Sequence, residues 1–137
     1  MKRFILPLAA LLICLTTGAE TQTIAPNVSA IPVIWDTNTT VANGTIPLVV
    51  SPWHDGGKVI SCSYYTTTGS FTATVNIGAT PVTGCSSVSV SSATATTVAT
   101  TANNTFTLAS SLSLVITAAS GSPNGALFQI NIQSTSN

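Results

Sequence analysis

Charge is what this sequence has least of. Only three of its 137 residues are basic and three acidic, beside one histidine, and the formal net charge is zero. Two of the cations, Lys2 and Arg3, stand at the N-terminus. A nucleic-acid binder needs a basic stripe to neutralise phosphates, so that function is excluded. Long-range electrostatic steering goes with it, which leaves shape, aromatics and short hydrogen bonds as means of recognition. Helix signals are missing too. There is no apolar 3.6-residue repeat, Glu, Lys and Arg are scarce, and β-branched residues are dense. Strong metal ligands are few: Glu20, Asp36, His54 and Asp55 follow no recognised spacing, so no metal or cofactor is expected.

What is present begins with an export signal. Lys2 and Arg3 precede an apolar run from Phe4 to Leu15, too short to span a bilayer. Thr17, Gly18 and Ala19 then supply small residues for a peptidase. Residues 1–19 read as a secretory signal peptide, cleaved before Glu20. The expected localisation is secreted, periplasmic or cell-surface. No membrane span is expected in the mature chain. It is long enough for one domain, with an extended lead-in or edge strand over 20–33 and the folded domain over 34–137.

Two-residue alternation dominates the rest. Strands are expected at 33–36, 45–50, 58–66, 70–77, 86–91, 93–101, 112–118 and 126–133. In the fourth, Phe71, Ala73, Val75 and Ile77 share one face, and Thr72, Thr74 and Asn76 the other. In the last, Phe128, Ile130 and Ile132 oppose Gln129, Asn131 and Gln133. Alternate residues of a strand lie on opposite faces of its sheet. Short strands spaced by turns indicate an all-β fold: an antiparallel β-sandwich of jelly-roll or Greek-key type. Its outer faces are covered by Ser and Thr. Threonine is stiff at χ1 and suits strands, so alcohols cover a sheet at low entropic cost.

Cysteine adds a constraint. Cys14 leaves with the signal peptide. Cys62 and Cys85 remain as an even pair in an exported chain, for which one disulfide is expected; two buried free thiols are the alternative. In a plain meander of 58–66, 70–77 and 81–91 the two cysteines would stand on strands separated by a third, about 9–10 Å apart. A disulfide needs Cα atoms within about 7 Å. Strands that switch between two packed sheets resolve the conflict.

The residues that suggest chemistry are few. "SPWHDGG", residues 51–57, holds Ser51, His54 and Asp55, the residue types of a nucleophilic triad. A triad needs base and nucleophile within hydrogen-bond reach, and adjacent His54 and Asp55 point apart. With Pro52 and two glycines the segment reads as a turn, and no catalytic residue is assigned. Trp35, Trp53, His54 and Asp55 are the candidate ligand-binding residues, since exposed tryptophans stack on sugar rings. Core packing, or sealing of a sandwich end, is the competing reading for both tryptophans. Neighbouring Tyr64 and Tyr65 must face opposite ways.

The stretch from Gly57 to Gln133 resembles phage virion fibre and spike jelly-roll domains. The pieces that carry the likeness are "GSFTATVNIGATPVTG" and "SSVSVSSATATTVATTANNTFTLASSLSLVITAASGSPNGALFQINIQ". The resemblance implies a structural role and a homotrimer. The expectation is an exported, non-enzymatic structural or adhesion module that self-associates. The alternative is a secreted carbohydrate-binding module with a surface glycan as its partner.

Overall fold

The computed structural model describes residues 28–48 and 56–134. The signal peptide read at 1–19 and the segment with Ser51, Trp53, His54 and Asp55 lie outside them. Among the described residues there are strands and no helix. In chain order these are β1 (Val28–Trp35), β2 (Gly44–Leu48), β3 (Gly56–Tyr65), β4 (Thr68–Ile77) and β5 (Thr80–Pro81). Then come β6 (Val88–Val90), β7 (Thr96–Ala99), β8 (Thr105–Thr107), β9 (Leu112–Asn124) and β10 (Ala126–Ser134).

The strands form two antiparallel sheets packed face to face. One has the order β1-β10-β3-β7, with β8 also on β3; the other is β2-β9-β4-β5, with β6 also on β4. Four pairings nest inside one another: β1 with β10, β2 with β9, β3 with β7 and β8, and β4 with β5 and β6. Two more, β10 with β3 and β9 with β4, close the roll. A long antiparallel ribbon wound on itself in this way is a jelly roll. No plain meander links the cysteines, because β3 and β4 belong to different sheets.

Alternation decides which side chains enter the core. β4 buries Phe71, Ala73 and Val75, β9 buries Leu112, Leu114 and Ile116, and β10 buries Phe128, Ile130 and Ile132. Each fully buried Phe, Leu or Ile contributes roughly 1.5–3 kcal/mol of apolar transfer. Tyr64 faces inward and stacks on Phe128 at 5.7 Å, while Tyr65 faces outward. The Cys62–Cys85 disulfide forms, with Cα atoms 6.0 Å apart. Cys62 lies on β3, and the Cys85 carbonyl accepts the N–H of Val75 on β4, so the bond ties one sheet to the other.

Several elements differ from the sequence reading. The stretch read as lead-in or edge strand supplies β1, an edge strand from Val28 onward. The strand expected over 93–101 shortens to Thr96–Ala99, because Ser91 to Ala95 carry the chain across from one sheet to the other. β9 continues past Ala118 to Asn124 through register shifts against β4, with positive φ at Ala118, Gly121 and Ser122. Such irregularities re-aim a strand without ending it.

Candidate functional site

β3 passes to β4 through Thr66 and Thr67 alone, so Tyr65 and Thr68 mark one end of the sandwich. Trp35 stands at that end, since it pairs with Ala126 while Leu127 pairs with Tyr65. Trp35 is half-buried, and its ring meets Phe71 of the opposite sheet at 5.9 Å and a 60° tilt. Tilted aromatic pairs at this spacing are attractive beyond their burial. Trp35 therefore seals the gap between the sheets. Trp53, His54 and Asp55 lie outside the described residues. The strands that flank them end at Leu48 and begin at Gly56. Leu48 and Ile77 both pair with Leu112, and Gly57 pairs with Ser134, so these anchors stand at the end opposite Trp35.

The Trp35 end is held by local polar bonding. The Asp36 carboxylate accepts the Asn38 N–H at 2.9 Å. The Thr39 hydroxyl first, and the Asn38 amide next, hold its pKa below the ordinary carboxylate value. Asp36 is thus engaged in a turn of its own making. The turn of Thr66 and Thr67 is tied to the end of β9: the Thr67 hydroxyl donates to the Asn124 carbonyl at 2.8 Å and the Thr68 hydroxyl to Asn124 Oδ1 at 2.9 Å. Buried Thr66 donates to the Thr68 carbonyl at 2.7 Å.

Two surfaces stand out on this frame. The first is the outer face of β1. Val28, Ala30, Pro32 and Ile34 all point outward, with Val28 54% and Ile34 70% exposed. Ile34 adjoins Leu127 of β10, which adjoins Tyr65 of β3. Beyond this apolar strip the face is polar, with one charge, the exposed Lys58 of β3 beside Gln133. Gln129 donates to Asn131 at 2.8 Å, Asn131 donates to Ser61 at 2.9 Å, and the Ser63 and Thr97 hydroxyls meet at 2.8 Å.

The second is a pocket of about 200 Å³ where the chain crosses from β6 to β7. Tyr64, Ser89, Ser91, Ser92, Thr94 and Thr96 line it. Thr96 is the register partner of Tyr64. The crossing is fixed by two bonds: the Ser92 carbonyl accepts the Thr66 N–H at 3.0 Å, and its hydroxyl accepts the Thr94 N–H at 3.1 Å. No charged group lines this pocket. Apart from Tyr64, no lining residue stands out in the sequence, because Ser and Thr recur along most of its strands.

No family model matches the chain, and no curated protein or solved structure matches it either. Function must therefore be argued from these surfaces. Among the described residues, no three His, Cys, Asp or Glu side chains gather in a way that would hold a metal ion. No helix among them is long and apolar enough to cross a membrane.

Proposed function

We propose that this chain is an exported, non-enzymatic structural or adhesion module that self-associates, similar to phage fibre and spike domains. The observation that supports this reading most is the outer face of β1, where Val28, Ala30, Pro32 and Ile34 leave an apolar strip open on an edge strand. The occupant that suits this face is a second copy. Amides and hydroxyls both donate and accept, so the ladder beside the strip is complementary to itself. Eight residues of strand run about 26 Å, and four strands add roughly 19 Å of width. Two copies meeting there would cover about 500 Å² each, close to the ~1,000 Å² total at which specific association begins. A weak, concentration-dependent assembly follows.

The copies would meet by faces and not by edges. Pro32 lies in β1, Pro47 in β2 and Pro81 in β5, each an edge strand of its sheet. Proline removes a ladder donor and discourages strand addition. The intersheet disulfide suits an oxidising compartment, which supports the exported reading. Light scattering on the purified protein over a micromolar concentration series tests the proposal. A mass that rises toward dimer or trimer supports it, and a monomer throughout contradicts it.

A further inference from the structure

We propose that the alcohol-lined pocket over Tyr64 binds a single neutral sugar ring. This site is separate from the β1 face and stands whether or not the protein self-associates. Size is the first reason. The pocket of about 200 Å³ is open to solvent, so it can seat one pyranose ring with any remaining glycan outside it.

Lining chemistry is the second. All six side chains carry a hydroxyl, from Tyr64 on β3 to Thr96 on β7. A hydroxyl donates one hydrogen bond and accepts two. Such a wall complements the vicinal alcohols of a sugar. An anionic ligand meets no cation there, and an apolar one would strip water from polar groups without replacing it.

Tyr64 supplies the third. Its side chain is only 9% exposed, and its ring is fixed by stacking on Phe128 at an interplanar angle of 10°. Its hydroxyl has no hydrogen-bond partner among the described residues. The hydroxyl is not closed off from water, so a ligand alcohol in the pocket can bond it in place of solvent, and the rigid stack holds the ring in advance of binding. The two bonds that pin Ser92 hold the opposite wall in the same way.

Titration of the ¹⁵N-labelled protein with the methyl pyranosides of glucose, galactose, mannose and N-acetylglucosamine tests the proposal. At least one should give saturable amide shifts confined to Tyr64 and residues 89–96, with half-saturation at roughly 1–10 mM. Tyr64→Phe keeps the ring and its stack, and should weaken that binding about tenfold. Thr94→Val, on the exposed crossing, should weaken it several-fold; it decides the matter if the tyrosine variant does not fold. Absence of saturable shifts with all four sugars overturns the proposal. So do shifts mapping elsewhere, unchanged affinity in the variants, or tighter binding of methyl glucuronide than of methyl glucoside.

Discussion

Cys62 and Cys85 are joined across the two sheets, with their Cα atoms 6.0 Å apart and a sequence separation of 23. Both are fully buried. The bond closes a loop that contains β4, β5 and the turn before β6. In the chain-entropy account a loop of this size stabilises by roughly 3 kcal/mol. The Cys62→Ala/Cys85→Ala double variant should lose about that much in urea melts. A reductant should destabilise the native protein similarly and leave the double variant unaffected.

Gly84 precedes the second cysteine and has a φ of +98°. A β-carbon there would collide with the Ala99 carbonyl oxygen and stand 3.0 Å from the Thr100 Cα. Gly78 also has positive φ, at +61°, but nothing lies within 4 Å of an added β-carbon. Gly84→Ala should therefore cost more than about 2 kcal/mol, and Gly78→Ala only about 1 kcal/mol. Thermal melts of the two variants separate steric collision from backbone strain.

Asn104 is buried, and its side-chain amide donates to the Val59 carbonyl at 3.1 Å and to the Thr100 hydroxyl at 2.8 Å. Its own carbonyl accepts the Val59 N–H at 2.8 Å. The side chain thus braces β3 against the turn from β7 to β8. Asn104→Ala should lower stability by about 1–3 kcal/mol, measured by denaturant unfolding.

Much of this architecture was legible in the residues, and the reason is physical. Strands such as 70–77 and 126–133 carry aliphatics on one face and alcohols or amides on the other, so burial follows period two. β1 gave no such signal. Ile31, Val33 and Trp35 point inward while Val28, Ala30, Pro32 and Ile34 point outward, and both faces are apolar. A strand without contrast has no visible period. β8 is three residues long and buries only Phe106. The far end of β9 bends through positive φ at Ala118 and Ser122 as well as Gly121, and the two non-glycine residues carry no local signal for that conformation. The Tyr64 pocket was hidden for another reason: it exists because the crossing after β6 passes over β3, a matter of topology that no single segment records.

The Asp36 carboxylate gives a pH dependence whose sign is fixed. Its folded pKa is lowered, first by the Thr39 hydroxyl and then by the Asn38 amide. The contribution is therefore present above the ordinary value near 3.9 and is lost as pH falls through the lowered folded value. The carboxylate is fully exposed, so the effect is small. Asp36→Asn removes the charge. Melting temperatures of the two proteins should run parallel above pH 5. The gap should close below pH 4 as the native carboxylate takes up its proton.

Sedimentation of the native protein beside Ile34→Glu and Thr45→Glu tests the central claim most directly. Ile34 is 70% exposed on the outer face of β1, and Thr45 is exposed on the edge of the other sheet. The native protein and Thr45→Glu should show a mass that grows with concentration. Ile34→Glu should stay monomeric with an unchanged melting temperature. If Ile34→Glu assembles as the native protein does, the outer face of β1 is not where the copies meet.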